Sequence, residues 1–183
     1  MLRLQSASRR NPACPSILFG QFNGLPQHPN MVRIGLISDT HGYLDPAIHS
    51  LFLGVNHILH AGDIGDSWII QELQGIAPVT AVLGNNDLGL AFRETEEFSW
   101  ESTKFLIHHI VTPERARATI GKRFEMAPDV VVFGHTHQRF DQSIGSCRFI
   151  NPGYSGKKRT GQERTVAIAE LGDAGWNTRF ISL

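Results

Sequence analysis

The sequence predicts an α/β fold of two packed sheets with its functional loops gathered along one edge, and three observations predict it. Between residues 32 and 83, apolar runs of strand length alternate with segments of helical period, as βαβ units and a parallel sheet require. Beyond about residue 95 the pattern changes to short paired runs joined by turn residues, which read as hairpins. Four strand-like runs, VRIGLISDTH at 32–41, HILHAGD at 57–63, VTAVLGNND at 79–87 and DVVVFGHTH at 129–137, each end in a polar cluster. Open α/β sheets place their ligand sites at such carboxyl ends.

Taken in order, residues 1–30 hold four of the nine prolines (Pro12, Pro15, Pro26 and Pro29), with no lasting period of 2 or 3.6. They read as a disordered extension, a targeting segment or a start placed too early, since Met31 immediately precedes the first strand. The domain is then residues 31–183. Val32 to Ile37 is a buried strand. Asp45-Pro46 opens a helix that runs to about Leu53 and stops at Gly54. His57 to His60 is the second strand. Asp66 or Ser67 caps a second helix that ends near Gly75, and Val79 to Leu83 is the third strand. In the second half, Glu97 to Glu101 and Lys104 to Ile107 pair about a Ser/Thr turn, and Thr112-Pro113 starts a helix to about Phe124. Asp129 to Phe133 is a strand. Arg139 to Gln142 pairs with Cys147 to Ile150, and Arg164 to Glu170 pairs with Asn177 to Ile181.

Composition narrows the function. At 183 residues the chain has room for one full core and is short for two. Seventeen basic and seventeen acidic residues balance, so net charge points to neither nucleic acid nor membrane, and no run is long and apolar enough to cross a bilayer. Cys14 and Cys147 are the only cysteines, too few for a disulfide framework, which favours a reducing cytoplasm. Nine histidines in this length direct attention to metals.

The strand ends supply Asp39, His41, Asp63, Asn85, His108, His135 and His137. Three oxygen and four nitrogen donors suit two borderline divalent ions, Mn first, with Fe, Zn, Co and Ni as alternatives, rather than Ca or Mg. Two such ions about 3.5–4 Å apart need a bridging carboxylate and clamp the attacking and leaving oxygens of a displacement at phosphorus. Gly62, Gly84 and Gly134 adjoin these donors, where a missing Cβ permits close approach. His60 reads as a strand-core histidine or a partner of the Asp63 loop, and His49 and His57 as packing or surface residues. Asp87 orients Asn86 and the donors or caps the next segment. Lys157-Lys158-Arg159 is either a solvated loop or a steering patch for phosphate.

Asp39-Thr-His41, Gly62-Asp63, Gly84-Asn85-Asn86-Asp87, His108 and Gly134-His135-Thr-His137 together resemble the five metal-site motifs of the calcineurin-like metallophosphoesterases. The short length and Asn151-Pro152-Gly153 resemble the small bacterial and archaeal phosphodiesterase branch of that family. The resemblance implies a four-layer α/β/β/α sandwich, with two mixed sheets flanked by helices. It implies one metal on Asp39, His41 and His137, a second on Asn85, His108 and His135, and Asp63 as the bridge. The activity implied is hydrolysis of a small-molecule phosphate ester, foremost a diester, by a metal-bridging hydroxide, with Asp63, Asn85, Asn86 and Asp87 as the catalytic set.

Two departures bear on this expectation. Asn86 stands where much of the family has a histidine that protonates the leaving group; an amide cannot do so, which costs about 10²–10⁴-fold on poor leaving groups. His109-Ile110 follows His108 where the family usually shows Gly-His, so either His108 or His109 could reach the metal, and strand alignment favours His108. The competing function is a non-catalytic interaction module on the same fold, like the retromer subunit that resembles this family. Natural substrate, resident metal and oligomeric state, a homo-oligomer included, stay open.

Overall fold

The first strand, β1 (Val32–Ile37), runs through the middle of one sheet because every second side chain meets a different apolar layer. Ile34 and Leu36 point to the space between two sheets, while Ile37 points to the helices. A computed structural model describes residues 31–116, 128–172 and 175–183. The extension over residues 1–30 lies outside them, as does the expected helix beyond residue 116.

Helix α1 (Ala47–Leu51) begins where Asp45 Oδ1 accepts the Ala47 amide at 3.0 Å, and it ends ahead of Gly54, which takes a φ of +78°. Strand β2 (His57–His60) leads to α2 (Ser67–Gln74), which Asp66 caps by accepting the Trp68 amide at 3.2 Å. Strand β3 (Val79–Ala81) is shorter than its apolar run, because Val82 leaves the ladder to bridge Arg93. Then follow β4 (Thr95–Trp100), β5 (Thr103–His108), a helical start at residues 113–116, and β6 (Val130–Val132). Strands β7 (Phe140–Ile144), β8 (Cys147–Asn151), β9 (Thr165–Gly172) and β10 (Gly175–Ser182) complete the chain.

Both sheets are mixed and five-stranded, in the orders β10-β9-β1-β2-β3 and β4-β5-β6-β8-β7. Within the first, β1, β2 and β3 are parallel; within the second, β5, β6 and β8 are. Parallel neighbours put all their carboxyl ends on one edge.

Three apolar layers follow from the strand period. Ile48, Phe52, Ile69 and Leu73 of the helices cover Ile58, Val166 and Ile168 on one face of the first sheet. Leu36, Leu59 and Ala167 meet Phe105, Ile107, Val130, Val132 and Ile150 between the sheets. Leu106, Val131 and Phe149 cover the outer face of the second sheet, with Ala116 of the helical start packed on them. This is the expected arrangement of helices outside two packed sheets. Among the described residues, no helix is long and apolar enough to cross a membrane.

Candidate metal centre

The loops at the shared edge are laced together by backbone bonds before any side chain acts. The Asp39 amide donates to the Gly62 carbonyl (3.0 Å), His41 to Asp63 (2.9 Å) and Gly134 to His109 (3.0 Å). Asp39, His41, Asp63, His135 and His137 all take φ between +46° and +69°, and Glu101, in the β4–β5 turn, is the only other described non-glycine residue that does so. Left-handed backbone at an aspartate or histidine is uncommon and persists only where the surroundings hold it. Gly84 is obligatory here: a Cβ on it would sit 2.1 Å from Asp63 Oδ1 and 2.2 Å from the Asp63 amide.

Asp39, His41, Asp63 and His137 each direct one donor atom into a common space, all within 4.8 Å of one another. His41 Nε2 lies 3.3 Å from His137 Nε2 and 3.6 Å from Asp63 Oδ2, and His137 Nε2 lies 3.4 Å from Asp39 Oδ1. Asp39 is fully buried; it contacts the Ser38 hydroxyl and accepts the His135 amide at 3.2 Å. Asn85 Oδ1 lies 3.0 Å from His135 Nδ1, and the His135 ring meets His109 edge-on at 5.4 Å.

The expectation at 108–109 is corrected by the structure. His108 Nδ1 lies 2.9 Å from both Thr95 Oγ1 and the Glu94 carbonyl, toward β4. It is His109 that enters the cluster, with Nε2 at 3.4 Å from Asp63 Oδ2 and 4.0 Å from Asp39 Oδ1. Strand parity is the reason: Phe105 and Ile107 face the space between the sheets, so residue 109 continues that face and residue 108 the outer one. His109 is 2% exposed and its Nδ1 donates to the Ala61 carbonyl at 2.7 Å, leaving Nε2 buried with no hydrogen-bond partner. An imidazole tautomer held this way, with its other nitrogen bare, is how proteins present histidine to a metal.

Asp87 is buried against backbone. Its oxygens accept the amides of Ile64 (3.0 Å), Gly65 (2.7 Å) and Gly84 (2.8 Å), so it ties the β3 loop to the β2 loop. Asn86 faces Asp63 instead, with its backbone amide on Oδ1 (2.9 Å) and Nδ2 on Oδ2 (2.7 Å). Two contributors, Asn151 and Tyr154, have no role assigned from the sequence, and a third, Arg159, reads there only as part of a solvated loop or phosphate-steering patch. Asn151 Nδ2 donates to the Gly134 carbonyl (2.8 Å) and lies 3.1 Å from Thr136 Oγ1, holding the last loop in place. Buried Tyr154 packs its ring 4.8 Å from His137 and 5.9 Å from His41, and Arg159 lies over the same ring at 5.2 Å. The Asn-Pro-Gly turn ahead of Tyr154 and the Lys157-Lys158-Arg159 run after it marked that region in advance. A cavity of about 380 Å³ opens beside His137, lined by Gln138, Arg139, Gln162 and Glu163 among others.

Electrostatics favour a cation. Burial works against ionisation of Asp63, but the nearby His109 imidazole and donation from both Asn86 groups outweigh it and hold the carboxyl well below its usual range. Burial is the largest influence on His41 and lowers its pKa; His137 and Arg159 act in the same sense, while Asp63 and Asp39 oppose. For His109 burial also opposes the charge, yet the facing Asp63 carboxylate and the Ala61 carbonyl win and its pKa is raised. A divalent ion would satisfy the same carboxylates, and the unpartnered Nε2 with the mixed nitrogen and oxygen donors fits a borderline metal.

Two five-stranded mixed sheets between helices, with a carboxylate–imidazole cluster able to hold a metal where their parallel strands end, define an α/β/β/α protein with a candidate metal site. The chain belongs to the calcineurin-like phosphoesterase superfamily, whose domain model matches residues 32–174. A probable metallophosphoesterase of Methanothermobacter thermautotrophicus is 36% identical over 129 residues, 66% of this chain and 75% of that protein. A phosphodiesterase of Methanocaldococcus jannaschii is 29% identical over 139 residues, 67% of this chain and 83% of that protein. Among solved structures, an archaeal phosphodiesterase superimposes with a TM-score of 0.65 at 26% identity, over 83% of this chain and all (100%) of that one. Wild-type Vps29 of Entamoeba histolytica, solved with zinc, shares the fold at a TM-score of 0.59 and 20% identity, over 82% of this chain and 99% of that one.

Proposed function

We propose that this protein is a dinuclear metal-dependent phosphodiesterase. The observation that carries the reading is the buried, unpartnered His109 Nε2 beside Asp63, which adds a second set of donors to the group of Asp39, His41, Asp63 and His137. Asp39, His41 and His137 would hold one ion; Asn85, His109 and His135 would hold the other; Asp63 would serve both. Ions bound there would supply a hydroxide nucleophile at neutral pH and neutralise charge on the phosphoryl oxygens. Manganese is the first candidate, with Fe, Zn, Co and Ni behind it.

The chain's own residues do the rest. Asp39 and Asp63 bring the negative charge that balances the ions. The Ala61 carbonyl fixes the His109 tautomer, and Asn86 fixes the plane of the Asp63 carboxylate by bonding both of its oxygens. Asp87 keeps the Asp63 and Asn85 loops in register through three amides. Asn86 has no proton to give, so a leaving group departs on its own acidity, and activated aryl esters are the substrates expected to turn over fastest.

The second reading is a protein-interaction module, supported by Asn86 in the acid position and by the shared fold of Vps29. Metal analysis of purified protein followed by assay of bis(p-nitrophenyl) phosphate with added Mn separates the two. Two ions per chain and turnover that Asp63→Asn abolishes support the enzyme. Metal-loaded protein no faster than the metal blank, and indifferent to Asp63→Asn, supports the module.

A further inference from the structure

Most described arginines are answered by a carboxylate: Arg33 and Arg179 by Glu170, Arg93 by Glu96, Arg139 by Glu163, Arg148 by Asp141, Arg164 by Asp45. Among the described residues, Arg159 has no carboxylate that pairs with it. It is exposed, yet its place is defined. Tyr154 donates its hydroxyl to the Lys157 carbonyl at 3.0 Å, which folds the following loop back over the ring. The Gln162 amide closes a turn onto the Arg159 carbonyl at 3.2 Å, and Gln162 Nε2 donates to the His137 carbonyl at 2.9 Å. The guanidinium then lies 5.2 Å above Tyr154, the ring that packs on His137 and His41. An unpaired cation is thus anchored to the rim of the metal group, beside the cavity that Gln162 also lines.

We propose that Arg159 is the anion-recognising residue of this site, and that the substrate is a phosphate ester carrying a second negative charge close to the scissile phosphorus, as a nucleotidic ester with a neighbouring phosphate does. The inference rests on the dinuclear phosphoesterase reading and deepens it. Two divalent ions against the carboxylates of Asp39 and Asp63 leave two positive charges; hydroxide answers one, and a simple diester answers the other. Arg159 has nothing to answer it until the substrate brings one more negative charge. Its planar fork of donors matches phosphoryl oxygens, whereas a neutral ester arm offers it no partner.

Calorimetric titration of the Mn-loaded protein with phenylphosphonate, a dianion at pH 8.5, and with its singly charged monomethyl ester tests this without turnover. The wild type is expected to bind the dianion more tightly. Arg159→Gln should weaken the dianion roughly tenfold and the monoanion no more than about twofold. Arg159→Lys should recover part of the loss, since it restores charge but not the fork. Metal content should stay unchanged, and Arg179→Gln, which removes the same charge from β10, should leave both affinities as they were. Equal weakening of the two ligands, or none, overturns the role of Arg159 while leaving the phosphoesterase reading intact. A wild type that binds two ions but neither phosphonate overturns both.

Discussion

His109 Nε2 stands 3.4 Å from Asp63 Oδ2 in a buried space, while the ring of His108, one residue earlier, lies against Thr95 and Glu94. The two adjacent imidazoles are therefore chemically alike but turned to opposite sides of the strand. His109→Ala should cost one bound metal per chain and about 10²-fold or more in hydrolysis, whereas His108→Ala should change either by less than about threefold. Metal content by plasma mass spectrometry, measured beside the rate, decides it. Equal losses in the two variants would remove His109 from the ligand set.

On the proposed reading, the Asn86 amide offers no acidic proton to the departing oxygen. Across a series of aryl methyl phosphodiesters the wild-type rate should fall steeply as the leaving phenol becomes more basic. Asn86→His should flatten that slope and raise turnover of the poorest leaving groups by about 10²-fold. An unchanged slope would mean that the ring cannot reach the leaving oxygen from this position.

Gly84 lies flat against Asp63, where an added Cβ would stand 2.1 Å from the carboxylate oxygen. Gly84→Ala should destabilise the fold by about 2 kcal/mol or more, because it forces backbone against backbone. Gly172→Ala, with open space around it and no positive φ, should stay within about 0.5 kcal/mol. Urea midpoints at constant slope give both numbers.

His60 is buried and neutral. Its Nδ1 accepts the Gly62 amide at 3.2 Å, its Nε2 lies 3.0 Å from Thr40 Oγ1, and that hydroxyl donates to the Ile64 carbonyl at 2.9 Å. Burial, the dominant cause, lowers its pKa from 6.5 to about 4. Between these values the unfolded chain binds a proton that the folded chain refuses, so the contribution of His60 to stability falls as pH drops from 6.5 to 4 and is constant above. The difference across that window is about 3 kcal/mol. Urea melts of metal-free protein from pH 4.5 to 7.5 should show a steeper decline in the wild type than in His60→Gln. Parallel profiles would show that another group carries the dependence.

Much of the fold and the site was legible from local chemistry. Strands β1, β2 and β6 could be read because buried parallel strands leave continuous apolar runs, and a cap at Asp66 or Ser67 because a carboxylate or hydroxyl before a helical period can accept a free first-turn amide, which Asp66 does. Asp39, His41, Asp63 and His137, which the structure gathers within 4.8 Å of one another, could be picked out because they are metal-ligand residue types at strand ends. Tertiary structure decided the rest. Parity along β5 turns His109 inward, but it becomes visible only once Phe105 and Ile107 are known to face the other sheet. Asp87 is drawn to the amides of Ile64 and Gly65, more than twenty residues away, and Tyr154 reaches His41 across more than a hundred. Periodicity and capping are short-range and written in neighbouring residues; which loops close on which depends on how the two sheets stack, and no local pattern encodes that.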